Sequence, residues 1–329
     1  LLTTMTKGPD EVPRVFDPQA VCPRWERFIR EICNENDELV NYLHRAIGYS
    51  LTGSIKEKKL FFLSGEGDNG KSVLIGTICT VLGEDYAKHA MPGLLRRKSL
   101  ESHPTEIAAL LGRRFIAISD DANGARLNEG RIKELTGERA VETRVIAGNP
   151  FTMPVTFKFW MADNFRPNVQ GLDDAIWSRL PLIPLTVKFR NREEALPGEL
   201  VKDPDLLDKL DAEAPGILTW VVRGAVAWYA DGTLREPTIV REASQRFREE
   251  CDWLAQFIAD RCRNEEGARA FSTPLYQAYR EWCRQGGTDL PVSHRRFGGL
   301  VGKRYPRETS NGTYYVGLRL LTPSETMVG

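Results

Sequence analysis

Largely apolar runs recur along the first half of the chain and predict buried β-strands. They lie at Leu60–Leu63, Phe115–Ile118 and Phe157–Ala162, and a fourth follows at Leu180–Leu185. Strands that are covered on both faces, as in a parallel sheet, show such runs instead of alternating apolar and polar residues. Helical patterns separate the runs. The sequence therefore predicts an α/β fold with a central parallel sheet.

Two amphipathic helices are expected before the first strand. The stretch Pro23–Ile32 spaces its apolar residues about three and four positions apart. Asn36 is a candidate N-cap for a second helix that runs to about Leu51. Apolar faces of this kind are more often core than a binding surface, so we expect an N-terminal helical segment that packs on the sheet.

The last third of the chain has a different pattern. Pro237–Arg263 predicts one long helix, and the charged stretch Asn264–Gly267 indicates a boundary. Two helices and two β runs that close around Asn311-Gly312 follow, which is the order of a winged-helix domain. We predict four parts: an N-terminal helical segment (1–54), a core that contains the parallel sheet (55–190), a helical region (191–264) and a winged-helix domain (265–329).

A glycine-rich loop follows the first predicted strand. Its pattern is Gly-x-x-x-x-Gly-Lys-Ser, and a helical stretch begins directly after it. Glycines allow backbone N–H groups to turn inward around phosphate oxygens, where side chains would clash. Lys71 can reach the β and γ phosphates, and Ser72 can hold Mg²⁺. We predict that the loop binds a nucleoside triphosphate through Gly65, Gly67, Asn69, Gly70, Lys71 and Ser72.

Two aspartates, Asp120 and Asp121, end the next predicted strand. In α/β folds ligands bind at the carboxyl ends of the strands, where paired acids can hold Mg²⁺ and orient the attacking water. A strand that ends in Asp-Asp is by itself usually a turn. The phosphate-binding loop earlier in the chain favours the catalytic interpretation.

Composition excludes several classes of protein. The 329 residues carry 45 basic and 45 acidic side chains, so any contact with nucleic acid must come from local patches. Six cysteines without a C-x-x-C pair argue against a zinc site or a disulfide framework and for a reducing cytoplasm. No apolar run approaches the ~20 residues of a membrane span.

Two further stretches have distinctive patterns. Val141–Ile146 and Phe151–Val155 flank a Gly-Asn-Pro turn and predict a hairpin. In the tail, six basic residues stand against one acid between Ser293 and Leu320, a local charge of +5. Such a cluster is either a solvated face or a binding surface for the nucleic-acid backbone.

The loop and its surroundings resemble a known family. The Asp-Asn-Gly-Lys-Ser sequence is similar to the loop of superfamily 3 helicases. Ile132–Gly137, Phe157–Asn164 and Ala175–Arg179 resemble segments of the phage and plasmid primase-helicase family, which includes the poxvirus-type primase-helicases. The resemblance covers nearly the whole chain and is strongest from about Leu39 to Pro184.

The resemblance implies an AAA+-like P-loop NTPase that uses ATP and Mg²⁺. It assembles as a ring, expected to be a hexamer, and translocates 3′ to 5′ on single-stranded or forked DNA. Asn164 is the implied sensor of the γ-phosphate, Arg179 the arginine finger for the neighbouring subunit, and Lys133 a second contact in trans. The implied metal ligands are Ser72 and Asp120. The implied catalytic residues are Lys71, Asp120, Asp121, Asn164 and Arg179.

The sequence also departs from the family. Gly137-Glu138-Arg139 stands where Gly-Gly-Asp is usual, and Ser178 replaces the first of two arginines, which leaves Arg179 as the finger. The hairpin tip lacks the lysine or histidine of some superfamily members. The DNA contacts that we expect instead are Arg144 or Lys158 in the core and Arg295, Arg296 and Lys303 in the tail. A surface ion pair for Arg144 and an ordinary strand lysine at position 158 are the alternatives.

We therefore expect the ATP-driven DNA helicase motor of a primase-helicase that acts in DNA replication. The alternative is a replication initiator or loader that uses ATP as an assembly switch without processive unwinding. A small-molecule P-loop kinase lacks an evident acceptor site. The chain begins at Leu1 without methionine or signal peptide, so we expect a fragment whose primase domain lies upstream. The expected location is the cytoplasm of a bacterial or phage-infected host cell, with no membrane partner.

Overall fold

The structure is a computed structural model in which the first part of the chain folds around a parallel sheet. It describes residues 6–7, 13–14, 16–91, 93–97, 105–119, 126–163, 167–171, 173–286, 291–322 and 325. Contacts group the chain into two units, Leu1–Arg248 and Glu249–Gly329. The finer division into four parts stays a prediction.

The elements of secondary structure alternate along most of the first unit. The strands are β1 (Thr6–Lys7), β2 (Pro13–Arg14), β3 (Leu60–Ser64), β4 (Ala87–His89), β5 (Phe115–Ser119), β6 (Ala140–Thr143), β7 (Phe151–Pro154), β8 (Lys158–Asp163), β9 (Leu182–Pro184), β10 (Phe189–Arg190), β11 (Leu200–Val201), β12 (Cys262–Phe271), β13 (Arg307–Thr309) and β14 (Thr313–Leu320). The helices are α1 (Pro23–Ile32), α2 (Asp37–Leu51), α3 (Lys71–Tyr86), α4 (Thr105–Ala108), α5 (Glu129–Gly137), α6 (Asp174–Trp177), α7 (Leu206–Ala212), α8 (Ala214–Asp231), α9 (Thr238–Glu250), α10 (Trp253–Arg261), α11 (Ser272–Gln285) and α12 (His294–Val301).

The central sheet of the first unit has five parallel strands in the order β4-β5-β8-β3-β9. The three inner strands β5, β8 and β3 are largely buried, as their apolar runs predict. Strand β3 lies between β8 and β9, with Leu60 opposite Phe159 and Ser64 opposite Asp163. The predicted α/β fold with a central parallel sheet is confirmed.

Stacked aromatic rings join the three inner strands on one face of the sheet. The Trp160 ring lies 4.5 Å from that of Phe61 and 5.4 Å from that of Phe115, measured between centroids. Its indole N–H donates to Ser50 Oγ of α2 at 2.9 Å, so the buried tryptophan leaves no unsatisfied donor. This face therefore carries α2 in a defined position.

Helices α1, α2, α3 and α8 form the main hydrophobic core with that face of the sheet. The apolar faces of α1 and α2 are buried, and Trp25 of α1 meets the edge of Trp220 of α8 at 5.6 Å. The expectation that these helices pack as core is confirmed. No helix within the described residues combines the length and the apolar character that crossing a bilayer requires.

The second unit contains α10, α11 and α12 and an antiparallel sheet in the order β12-β14-β13. Phe257, Tyr279 and Phe297 bring one ring from each helix together, with centroids 4.7–5.9 Å apart. The predicted turn between the last two strands is present, and both Asn311 (φ 49°) and Gly312 (φ 121°) have positive φ angles.

The prediction of one long helix over Pro237–Arg263 is wrong. Helix α9 ends at Glu250, and the side chain of Asp252 accepts from the backbone N–H of Ala255 at 3.0 Å, which caps the new helix α10. The charged stretch Asn264–Gly267, expected to mark a boundary, lies within strand β12, and the two units divide earlier, between Arg248 and Glu249. The register there shifts between Asn264 and Arg269, and Gly267 has φ 76°.

Glycines set the distance between α2 and α8. An ideal Cβ on Gly48 would lie 2.1 Å from the backbone nitrogen of Ala225, and one on Gly224 would lie 2.2 Å from the carbonyl oxygen of His44. Real Cβ atoms do not approach backbone this closely, so the two helices meet here backbone to backbone.

We predict that Gly48→Ala lowers the free energy of unfolding by about 1–3 kcal/mol or more, since the helices must separate to admit the methyl group. Gly76→Ala in α3 is the control, because its Cβ would meet nothing within 4 Å. A helical Gly→Ala change without a clash stabilises by roughly 0.5–1 kcal/mol. Urea unfolding of both variants checks this, and equal midpoints would contradict the close approach.

Candidate functional site

The glycine-rich loop lies at the carboxyl edge of the central sheet, between β3 and α3. Because β3 and β8 are parallel, Ser64 at the end of one is opposite Asp163 at the end of the other. Strand β5 ends at the same edge, with Ser119 opposite Ala162. The loop therefore stands where ligands bind in open α/β sheets.

Two glycines of the loop allow approaches that a side chain would prevent. Gly70 has φ 85°, and its ideal Cβ would lie 2.6 Å from Ile32 Cγ2. An ideal Cβ on Gly65 would lie 2.2 Å from the carbonyl oxygen of Leu185. Gly67 has nothing within 4 Å of its Cβ position and faces open space. The loop is therefore tightly packed at Gly65 and Gly70 and open to solvent at Gly67.

The ammonium of Lys71 lies inside the loop. The residue is 5% exposed, and Nζ donates to the carbonyl oxygen of Gly65 at 2.6 Å and to Asn69 Oδ1 at 3.0 Å. Burial lowers the pKa of Lys71 below its ordinary value, and the charge of Asp163 opposes that effect. A cation with little water around it and oxygens within bonding distance is suited to a phosphate group.

Asn69 holds the loop in shape. Its Nδ2 donates to the carbonyl oxygens of Glu66 and Leu185, the latter at 3.3 Å, and the residue is buried. Asp68 is fixed from the same side, since its carboxylate pairs with Lys202 at 2.8 Å. Asn69 therefore braces the loop, a role that the sequence did not indicate.

Helix α3 starts at the loop with open backbone donors. Gly70 is its N-cap and provides no side-chain cap, while Ser72 in the first turn is exposed. The first N–H groups of a helix have no intrahelical partner and attract anions. The Ser72 hydroxyl is available there as a cation ligand. The described residues contain no cluster of three or more His, Cys, Asp or Glu side chains that could hold a metal ion.

Three expected catalytic residues, Asp120, Asp121 and Asn164, lie outside the described residues. The residues directly before them, Ser119 and Asp163, end neighbouring strands at the loop edge. Asp163, which the sequence analysis did not assign to the site, ends β8 opposite Ser64, the last residue of β3 before the loop. The signal was the parallel register, which sets it level with the last residue before the loop.

Arg179 lies at the other end of the sheet from the loop. Its carbonyl oxygen accepts from the N–H of Leu60, the first residue of β3, at 2.7 Å. A five-residue strand rising about 3.3 Å per residue separates that point from the loop by about 13 Å. The guanidinium donates to Thr136 Oγ1 at 3.2 Å and to the carbonyl oxygen of Ala175. The structure therefore does not bring Arg179 to the loop of its own chain.

Lys133, the expected second contact in trans, has a partner within the chain. Its ammonium pairs with the carboxylate of Asp173 at 2.8 and 2.9 Å. Partial burial alone would raise the pKa of Asp173. The hydrogen bond and charge of Lys133 and two backbone N–H groups outweigh that effect, so the pKa is lowered.

The predicted hairpin is present as β6 and β7, paired from Ala140–Pro154 to Thr143–Phe151. Arg144 directly follows β6 and is exposed. The tip is apolar: Val145 is 51% and Ile146 is 78% exposed. Exposed branched side chains at the tip, together with Arg144, indicate that the hairpin could contact another molecule.

A role of Lys158 in DNA binding is contradicted by its burial. The residue is 2% exposed in the central strand of the sheet. Its ammonium donates to the carbonyl oxygen of Thr52 and lies 4.6 Å from the centre of the Tyr49 ring. Burial lowers the pKa of Lys158 well below its ordinary value, and the nearby charge of Arg114 lowers it further.

Five of the six basic residues of the tail fall into two groups, and the sixth, Arg307, is exposed in β13. Arg304 pairs with Asp252, and Arg319 pairs with Glu265 at 2.7 Å, so acids from outside the Ser293–Leu320 window neutralise part of its charge. The other group is exposed and lies on or just after helix α12: Arg295, Arg296 and Lys303.

The chain is similar to several known proteins. The family model described as "Poxvirus D5 protein-like" matches residues 249–303. Over 86% of the chain there is 25% identity to "Putative helicase L207/L206" of Acanthamoeba polyphaga mimivirus. Over 71% there is 27% identity to "Putative helicase 022R" of Frog virus 3, and over 69% there is 26% identity to a "Putative primase" of African swine fever virus.

The expected resemblance to superfamily 3 primase-helicases is confirmed. The chain spans only 31%, 25% and 25% of the lengths of these three relatives. Two apo structures of the NrS-1 C-terminal region share its fold, with TM-scores of 0.52 and 0.53 and 8% and 10% identity. Each match covers 79% of this chain and 57% of the other.

The burial of Lys158 predicts that the stability of the chain depends on pH. Since the pKa of Lys158 is lower in the folded state than its ordinary 10.5, unfolding takes up a proton between those two values. The free energy of unfolding therefore rises with pH in that window. We expect the wild type to gain stability relative to Lys158→Met as the pH rises from 7 towards 10. Denaturant unfolding at several pH values measures this, and parallel profiles would contradict it.

Proposed function

We propose that the chain is an ATP-driven DNA helicase motor whose nucleotide site is completed by a second copy of the chain. The observation that carries the proposal is the separation within one subunit. The glycine-rich loop lies at the carboxyl end of β3, and Arg179 lies at its amino end. Arg179 can then act only on the nucleotide of a neighbouring subunit.

The loop supports the binding of ATP. The backbone at Gly65 and Gly70 leaves no space for side chains there, and the open N–H groups of α3 favour phosphate oxygens. Lys71 already has two oxygen acceptors and can exchange them for phosphate oxygens. When bound, Mg²⁺ neutralises charge on the phosphates. Ser72 would hold it together with Asp120.

The hydrolytic roles follow from the same edge of the sheet. Asp120 and Asp121 would hold the metal and orient the water, and Asn164 would contact the γ-phosphate. The ends of β5 and β8, directly before these residues, support this proposal because they adjoin the loop strand. An arginine in trans supplies roughly 10³–10⁵ in rate, so an isolated subunit should hydrolyse ATP poorly.

DNA would be bound by two elements. In the first unit it is the β6–β7 hairpin, with Arg144 and the exposed tip. In the second unit it is the arrangement of α10–α12 with β12–β14, which is consistent with a winged-helix domain. Assembly as a hexameric ring, 3′ to 5′ translocation, and a role beside an upstream primase in phage or plasmid-type replication extend the proposal by resemblance.

We predict that Lys71→Ala abolishes ATP hydrolysis, because the ammonium that bonds to Gly65 and Asn69 inside the loop is lost. Lys209→Ala is the control, since that lysine is exposed and pairs with Asp203 and Asp205 at the surface. The measurements are ATPase with and without single-stranded DNA and displacement of a strand from a forked duplex. DNA-stimulated ATPase with strand displacement supports a motor. DNA binding with neither activity contradicts it and favours an initiator or loader.

A second prediction concerns the tail. Replacing Arg295 and Arg296 together by alanine should weaken DNA binding and reduce the slope of log affinity against log salt by roughly 0.7–0.9 for each phosphate that the protein no longer binds. Arg284→Ala is the control, because that side chain is paired with Glu281 at 2.8 Å on another helix. Fluorescence anisotropy at several salt concentrations measures the slope. An unchanged slope in the double variant would contradict a phosphate contact by α12.

A further inference from the structure

One face of helix α5 contacts several residues of the segment that leads to Arg179. Glu129, Lys133 and Thr136 are spaced four and three residues apart, so they lie on the same side of the helix. Each of them bonds to a different part of the chain between residues 170 and 179. The contacts run along the helix in the same order as the segment runs towards Arg179.

The first two contacts fix the start of helix α6. Glu129 Oε1 accepts from the backbone N–H groups of Gln170 and Gly171 at 3.0 and 2.6 Å. Lys133 pairs with Asp173, whose Oδ1 also accepts from the N–H of Ile176 at 3.1 Å and so caps α6. The ion pair thus holds the residue that begins the helix.

The third contact reaches Arg179 itself. The Thr136 hydroxyl donates to the carbonyl oxygen of Ile132 at 2.6 Å, so its lone pairs face outward. Arg179 Nε donates to Thr136 Oγ1 at 3.2 Å, and Nη1 donates to the carbonyl oxygen of Ala175. Contacts with described residues therefore use two of the five guanidinium donors, and three are left for a phosphate.

Gly137 provides independent support for this arrangement. An ideal Cβ at this position would lie 3.1 Å from Arg179 Nη2. A side chain there would require the guanidinium to shift by a few tenths of an ångström. The chain has glycine at the point where helix α5 passes the arginine.

We propose that Thr136, with Lys133 and Gly137, positions Arg179 for the nucleotide of the neighbouring subunit. The inference rests on the proposed function. A free arginine side chain samples many rotamers, and a misplacement of about 1 Å in a catalytic group can cost roughly 10²-fold in rate. Thr136 is a positioning residue in this scheme, because it touches Arg179 and not the nucleotide.

The test compares Thr136→Val with Thr136→Ser in the full chain assembled with ATP and single-stranded DNA. Valine keeps the shape and removes the oxygen that accepts from Nε, so kcat should fall about ten- to hundred-fold. Serine keeps the oxygen and should restore most of the activity. KM for ATP should stay within about twofold in both variants, since the loop is untouched. Equal kcat for valine and serine would overturn the inference.

Mixed assemblies separate positioning from a general loss of structure. Thr136→Val subunits have an intact loop, and Lys71→Ala subunits have an intact arginine, so their mixture should regain activity. A mixture of Thr136→Val with Arg179→Ala subunits lacks a well-placed arginine and should not. Failure of the first mixture to recover would mean that Thr136 acts within its own subunit, which contradicts the inference.

Gly137→Ala is a second variant in case valine at position 136 disturbs folding. Alanine favours a helix, so the melting temperature should not fall, yet kcat should fall because the guanidinium is displaced. Unchanged kcat would contradict the proposal. Arg179→Ala separates the two levels of inference. If it leaves the assembled ATPase intact, the proposed shared site is wrong. If it removes the ATPase and the Thr136 and Gly137 variants do not, only the positioning role is wrong.

Discussion

The parallel ladder of strand β3 is the constraint on which the candidate site depends. Its hydrogen bonds to β8 and β9 fix the level of every residue from Leu60 to Ser64. The glycine-rich loop leaves one end of this strand, and the carbonyl oxygen of Arg179 bonds to the other. No change short of breaking the sheet can bring them together. A site that uses both the loop and the arginine therefore needs two copies of the chain.

The loop is already formed around its lysine. Glycine at positions 65 and 70, the amide of Asn69 and the Asp68–Lys202 pair hold the backbone in place. Binding a phosphate group then orders little additional chain, which lowers the entropic cost of binding. Burial lowers the pKa of Lys71, which disfavours its charged form. A bound phosphate would favour the charged form, so the ammonium would interact strongly with it. The buried environment of Lys71 therefore favours an anionic ligand and restricts its position to the inside of the loop.

Four strands of the central sheet, the loop and both hairpins could be predicted because their signals are local. Apolar runs, a glycine pattern and an Asn-Gly turn need no knowledge of distant residues. The failures at Pro237–Arg263 and Lys158 have other causes. The helical period continues through Cys251 and Asp252, and only the capping bond to Ala255 shows that a new helix begins there. Lys158 was assigned to DNA although it lies in a predicted buried strand. The centre of a parallel sheet has no solvent face, so the strand prediction already excluded that contact.

The contacts of helix α5 could not be predicted, because its partners lie about forty residues away in the chain. Helix α5 ends at Gly137, where the backbone of Glu138 becomes extended. Directly after it, the N–H of Val155 bonds to the carbonyl oxygen of Arg139 at 3.0 Å, at the base of the β6–β7 hairpin. One stiff helix thus holds Arg179 on its side and continues into the hairpin at its end. In a ring, DNA bound at one subunit and a nucleotide bound at the next would meet through this single element.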